Sequence, residues 1–306
     1  MAKVKVGIVG CGIMGGFHTK VASDLKEAKL IGIFDADAPR AQEIANKYAT
    51  TNFESIEKLI NEVDALIIAA PTSTHFELAK LALEKGRHLL VEKPLTLESA
   101  TAELLAKLAE QKKLVLAVGM IERFNPAFSK AYSIVKREKI LSFNIQRFSP
   151  FPERISDASV VWDMMIHDID IALTLNKSGV DSIKAEGKKL LSGKLDEATS
   201  TIYFKDGTIA KISCSRAKND KYRFMSIITD HSIYEVDMLA KKLFKRDFET
   251  LINKTEIEVL SADQIALEQK DFFSSIENNR EPKSGASDAI LAMKIAEEVE
   301  LKCLSR

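Results

Sequence analysis

Lys93, Asp163, His167 and Asp170 combine proton-handling side chains with suggestive positions in the chain. Lys93 lies in Glu92-Lys93-Pro94 just after a short apolar run that predicts a strand, and so stands at the carboxyl edge of a sheet, where open α/β folds bind ligands. The flanking glutamate and proline favour a site lysine over an exposed loop residue. Asp163, His167 and Asp170 fall at i, i+4 and i+7 of a predicted helix, within an arc of about 60°. Much of that helix is apolar, and a buried polar stripe costs free energy unless it is paired or used. The stripe is open to three readings: an acid/base pair, a hydrogen-bonded core histidine, or a site with two carboxylates and one imidazole for a metal ion. No nearby Cys or second His completes a ligand set, so no metal is expected. A lysine and a histidine of this kind could hold a hydroxyl group and move its proton.

Gly10-Cys11-Gly12-Ile13-Met14-Gly15 follows the first predicted strand and opens a helix, and Asp35 closes the second strand 20 residues after Gly15. That context predicts a dinucleotide site formed by Gly10, Gly12, Ile13, Met14, Gly15 and Asp35. Gly10 permits the tight turn, Gly12 lets the backbone approach the pyrophosphate at the helix N-terminus, and Gly15 lets helix pack on strand. Asp35 can accept from the ribose hydroxyls and would repel an added phosphate, so NAD is expected over NADP, although Arg40 nearby keeps NADP open. Cys11 reads as a small residue that fits rather than as a thiolate.

These residues need elements to position them. Strands predicted over 4–9, 30–34, 65–69, 88–91 and 114–118, with helices between them such as 76–85 and 97–111, describe a doubly wound parallel sheet. Later strands over 142–148, 200–204, 208–213, 224–229 and 233–236 lack intervening helices and predict an open, mostly antiparallel sheet, interrupted by a helix over 162–175. Helices over 262–277 and 287–303 close the chain. The expected class is therefore α/β: a Rossmann domain over 1–122 and an α+β domain for substrate binding and oligomerisation over 123–306, whose closing helices could pack back on the first.

The 306 residues carry 44 Lys plus Arg against 44 Asp plus Glu, so no global charge draws the chain to nucleic acid or anionic lipid. A hydrophobic share of 46% and a charged share of 29% are ordinary for a globular protein and argue against disorder or a coiled coil. Three widely spaced cysteines form no disulfide framework, which fits a reducing cytoplasm, and neither an export signal nor a membrane span is read. The large sheet face of the second domain predicts a homodimer or homotetramer.

With these pieces in order, the chain resembles the Gfo/Idh/MocA oxidoreductases, named for glucose–fructose oxidoreductase, inositol dehydrogenase and a rhizopine-catabolism protein. The resemblance runs over nearly the whole length and rests on the turn at 10–15, Ala70-Pro71-Thr72 with His75, Glu92-Lys93-Pro94, Asp163-x-x-x-His167-x-x-Asp170 and the closing helix pair. It departs at Ala158-Ser159-Val160-Val161-Trp162, where many relatives carry a glycine-rich turn. The resemblance implies that Lys93 orients the reacting hydroxyl and tunes its proton, that His167 is the acid/base, and that Asp163 assists. It also implies that Pro71, Thr72, His75 and Glu92 line the cofactor, and it leads to an expected cis Lys93–Pro94 peptide. Glu122-Arg123-Phe124-Asn125-Pro126 and the stretch from Arg147 to Asp157 are similar to a branch oxidising carbon 3 of UDP-N-acetylhexosamines. Arg123, Arg147 and Arg154 could bind a diphosphate or carboxylate, or be ordinary surface arginines; Asn125 and Asp170 are further candidate substrate contacts. The implied activity is NAD-dependent oxidation of a secondary hydroxyl on a sugar or nucleotide sugar. Its rivals are a polyol, free-sugar or inositol dehydrogenase and an NAD-binding sensor.

Overall fold

The computed structural model describes residues 3–151, 158–248 and 253–305, which fall into two compact units. The first comprises Met1–Ile121 and Ala262–Leu291, the second Glu122–Ser261 and Ala292–Arg306.

In the first unit the chain runs β1 (Val4–Val9), α1 (Ile13–Asp24), β2 (Ala28–Phe34), α2 (Ala38–Lys47), β3 (Thr51–Asn52), α3 (Ile56–Glu62), β4 (Ala65–Ile68), α4 (Thr72–Glu84), β5 (His88–Glu92), α5 (Ser99–Lys112) and β6 (Leu116–Gly119). The strands form one parallel sheet in the order β3-β2-β1-β4-β5-β6. Every residue of β4 and β6 is buried, as expected of parallel strands covered on both faces. The sheet order reverses at β1, which is flanked by β2 and β4, so the glycine turn leaves β1 at the switch point where doubly wound sheets bind ligands. The later helix α8 (Gln264–Glu277) also belongs here: Phe272 and Phe273 join the core with Val6, Ile8 and Ile67. Asp263 caps α8 by accepting from Ala266 N at 3.0 Å.

The second unit contains α6 (Pro126–Val135), β7 (Ile140–Phe148), α7 (Ile166–Leu175), β8 (Val180–Lys188), β9 (Glu197–Phe204), β10 (Ile209–Ser215), β11 (Tyr222–Thr229), β12 (Ser232–Asp237), β13 (Lys242–Asp247) and β14 (Thr255–Ile257). The last helix, α9, spans Ala286–Leu304. Eight strands form a sheet ordered β14-β13-β12-β11-β7-β10-β9-β8, antiparallel except where β10 runs parallel to β7. In β7, buried Phe143, Ile145 and Arg147 alternate with more exposed neighbours. The period-2 rule thus puts Arg147 on the core face with two apolar residues.

The sequence reading omits β3, β8, β14 and α6, and it treats residues 162–175 as one α-helix. Val161–Met165 instead form a π-helical turn, after which α7 begins. Hydrogen bonds reaching from i to i+5 change the rotation across this segment, so the common arc computed for Asp163, His167 and Asp170 does not apply to Asp163. Val160, which precedes this turn, and Val161, which opens it, are fully buried.

Candidate functional site

The glycine turn separates into positions the fold requires and one that it does not. Gly10 has φ +92°, and a Cβ there would meet the Ala69–Ala70 backbone at 2.6 Å. A Cβ on Gly15 would meet the Gly10 carbonyl oxygen at 1.8 Å. Gly12 has φ −66°, and nothing lies within 4 Å of the space a Cβ would take. No described protein atom therefore demands glycine at 12, whereas a pyrophosphate laid against the turn would. Ile13 and Met14 follow as the first helical residues, and Ile13 is exposed.

Asp35 stands just past the end of β2. Its Oδ2 accepts from Cys11 N at 2.5 Å and its Oδ1 from Asp37 N at 2.7 Å, so the carboxylate is fixed against the glycine turn. Arg40 pairs with Asp37 at 2.9 Å, as a solvent-facing helix residue would. Burial and the Asp35 charge push the Cys11 thiol up to about 12, so it is a neutral packing residue. Turn, carboxylate and the open space at Gly12 fit an adenine dinucleotide.

At the end of β5, Lys93–Pro94 is cis and Lys93 is half-buried. Glu92 turns inward: its Oε1 lies 2.9 Å from His18 Nε2, and Oε2 accepts from Lys93 N at 3.2 Å. Burial alone would raise the Glu92 carboxyl, but the hydrogen bond from His18, together with Lys93, holds it below the usual range. His75 is buried, with Nδ1 3.0 Å from the Pro94 carbonyl and Nε2 2.9 Å from the Ala70 carbonyl. Glu92 and His75 thus brace the lysine turn. Pro71 caps α4 and Thr72 opens it.

In the second unit, Asp163 and His167 are half-buried, while Asp168 and Asp170 are buried. Asp170 receives Arg123 Nε at 2.7 Å and Nη2 at 2.6 Å. Asp168, which the sequence reading missed, receives Arg147 Nη2 at 2.7 Å and Cys214 Sγ at 3.3 Å. Arg147 Nη1 also reaches Glu122 Oε1 at 2.8 Å, and Arg223 Nη1 reaches the same oxygen at 2.8 Å. Burial would raise the Glu122 carboxyl, but Arg147 and Arg223 hold it below its ordinary value. Asn125 caps α6 by accepting from Ala127 N at 3.1 Å and donates to the Met238 carbonyl at 2.9 Å.

This arrangement gives several of the sequence candidates partners inside the fold. Arg123, Arg147, Asn125 and Asp170 are engaged within the fold, because a buried charge must be paired to be tolerated. Arg154 lies outside the described residues. A signal for Asp168 and Arg147 did exist. An arginine in phase with core residues of a strand needs a buried carboxylate, and Asp168 lies in the apolar run of α7. Among the described residues, no group of three His, Cys, Asp or Glu side chains is arranged to hold a metal ion, and no helix is long and apolar enough to cross a membrane.

A Rossmann unit with a fitted dinucleotide turn, joined in one chain to an open antiparallel sheet, defines a nicotinamide-dependent oxidoreductase. Comparison with known proteins agrees. Residues 4–120 match the family model "Oxidoreductase family, NAD-binding Rossmann fold", and residues 139–237 match "GFO/IDH/MocA C-terminal domain". The chain is 33% identical to UDP-N-acetylglucosamine 3-dehydrogenase of Acidithiobacillus ferrooxidans over 92% of its length and 91% of that protein's. A solved structure of that dehydrogenase superposes with a TM-score of 0.94 at 30% identity, covering 100% of this chain and 99% of the other. The scyllo-inositol 2-dehydrogenase (NAD(+)) of Bacillus subtilis is 28% identical over 70% of this chain and 68% of its own length. The chain belongs to the Gfo/Idh/MocA oxidoreductase family. It is an NAD-dependent enzyme acting on CH–OH groups.

Proposed function

We propose that the protein oxidises the carbon-3 hydroxyl of a UDP-N-acetylhexosamine with NAD. The observation that carries this reading is the near full-length likeness, in sequence and fold, to a UDP-N-acetylglucosamine 3-dehydrogenase. Bound NAD supplies the hydride acceptor, and the remaining demands fall on the protein. The Lys93 ammonium donates to the reacting oxygen and favours loss of its proton. His167 accepts that proton, directly or through one water, at roughly 2.6–3.2 Å. Asp163, four residues earlier, assists the imidazole. The neutral ketone then forms as the carbon gives up its hydride, so one proton and one hydride leave the alcohol.

A second reading, a polyol or inositol dehydrogenase with the same lysine and histidine, is favoured by the inositol dehydrogenases among the relatives, which match over less of the chain. Incubating the protein with NAD and a panel of UDP-sugars, sugar acids and polyols, while following NADH absorbance, separates the two. Turnover of inositol but not of UDP-sugars would replace the first reading by the second. A reducing cytoplasmic setting is supported by three buried free cysteines. Assembly as a homodimer or homotetramer is supported by the outer face of the large sheet, where Phe148, Tyr222 and Phe224 stack with centroids 5.8 and 5.9 Å apart.

A further inference from the structure

Arg223 and Arg147 are register partners on β11 and β7, so their side chains leave the same face of the sheet side by side. Arg147 is buried, and two carboxylates match its charge. Arg223 shares Glu122 Oε1 with it, yet 42% of the Arg223 side chain is exposed. Among the described residues, the only side-chain hydrogen bond of Arg223 is through Nη1. Its Nε and Nη2 hydrogens remain available, and they form the same fork with which Arg123 grips Asp170.

Two guanidinium groups share one Glu122 oxygen, and Asp168 completes the charge balance of the cluster, so what Arg223 has left to offer is hydrogen-bond donors at an exposed edge. Burial and the like charge of Arg147 push Arg223 below its ordinary value, despite Glu122 and Asp168. Because a guanidinium keeps its proton in proteins, Arg223 stays a cation whose open donors can receive an added anion. The position is also apt: Glu122 and Arg147 connect Arg223 to Asp168, the residue after His167.

Resting on the nucleotide-sugar reading above, we infer that Arg223 receives the substrate's diphosphate through its Nε/Nη2 fork. Planar guanidinium donors match phosphate oxygens in pairs. Glu122 holds the side chain in place beforehand, which reduces the rotamer entropy lost on binding. Arg123 and Arg147 are unsuited to the task, since both are buried and already joined to carboxylates.

The test uses NAD-saturated protein titrated with UDP and with inorganic pyrophosphate, alongside steady-state rates on UDP-N-acetylglucosamine. Relative to wild type, Arg223→Gln should weaken both ligands roughly 10- to 100-fold, the range of one lost charged hydrogen bond. It should raise KM similarly with kcat little changed, and leave NAD affinity intact. Arg223→Lys should recover part of the loss, as a point charge without the fork. Wild-type affinity for UDP and pyrophosphate in Arg223→Gln would overturn the inference, as would Lys and Gln variants that behave alike. If wild type oxidises the UDP-sugar while Arg223→Gln keeps the same KM, the inference falls and the proposed function stands. If wild type oxidises only neutral sugars or polyols, the proposed function falls. The inference then falls with it unless pyrophosphate binding is still lost in Arg223→Gln.

Discussion

His18 Nε2 lies 2.9 Å from Glu92 Oε1, joining the first helix to the residue that precedes the cis Lys93–Pro94 peptide. The Gln269 amide nitrogen, oriented by its 3.0 Å bond to the His18 carbonyl, lies 3.1 Å from Nδ1. Nδ1 is therefore an acceptor, and Nε2 carries the hydrogen donated to Glu92. The lysine turn is thus held from behind by α1 and α8.

Removing this donor should show in acid stability. His18 helps hold the Glu92 carboxyl low, so the ionised carboxylate contributes stability that is present above the unfolded value and lost as pH falls through the lowered folded value. In His18→Ala that loss should begin at higher pH, with a stability deficit of about 1–3 kcal/mol near pH 7 from an unpaired buried acceptor. Urea melts at pH 7 and acid titration followed by circular dichroism measure both. An unchanged acid midpoint would remove His18 from this role.

The glycine turn predicts a division between stability and binding. Gly10→Ala should destabilise the protein, because its φ of +92° and the Ala69–Ala70 backbone both reject a side chain. Gly12→Val should leave the melting temperature of the protein without cofactor almost unchanged and abolish NAD binding. Calorimetric titration with NAD beside thermal melts distinguishes the two, and a Gly12→Val protein that still binds NAD would refute the cradle at this position.

The proposed proton chemistry predicts the reverse pattern. Lys93→Ala and His167→Ala should lower turnover by roughly two to four orders of magnitude while NAD affinity and folding persist. Rates on the best substrate of the panel, with NAD titration as control, test this. Near wild-type turnover in both variants would show that the assigned roles are wrong.

Glu268 on α8 predicts an alkaline liability. It is buried, its oxygens have no hydrogen-bond partner among the described residues, and burial, with the nearby Glu92 and Asp271, raises its carboxyl well above the ordinary value. The folded protein therefore holds Glu268 neutral, whereas the unfolded chain ionises it above the ordinary carboxylate range. Stability is lost as pH rises from there toward the folded value, by up to about 1.4 kcal/mol per pH unit. Glu268→Met should thus be more stable than wild type at pH 8, with the gain shrinking as pH approaches 4.5. Chemical denaturation at several pH values decides this, and a gain independent of pH would contradict it.

Much of the first unit was legible because its signals are local. Alternating apolar strands and helices, the spacing of Gly10, Gly12, Gly15 and Asp35, and the placement of Lys93 after β5 are written in consecutive residues, and the parallel sheet follows from the need for long crossovers. The edge strand β8 was not legible. Its lysines and acids face solvent, and such charges guard an edge while erasing the apolar pattern that announces a strand. The π-helical turn at Val161–Met165 was equally hidden, since no residue type marks a one-residue change of helical period. The partners of the charged residues depended most on tertiary structure. In the sequence Arg123 and Arg147 read equally as ligand contacts or surface arginines, but β7 turns Arg147 inward and the packing of α7 supplies Asp168 to meet it. A charge removed from water must find its counter-charge in space, and those partners lie 21 to 47 residues away along the chain. Only the fold could decide that Arg223, half-exposed beside them, was the arginine left with donors to offer.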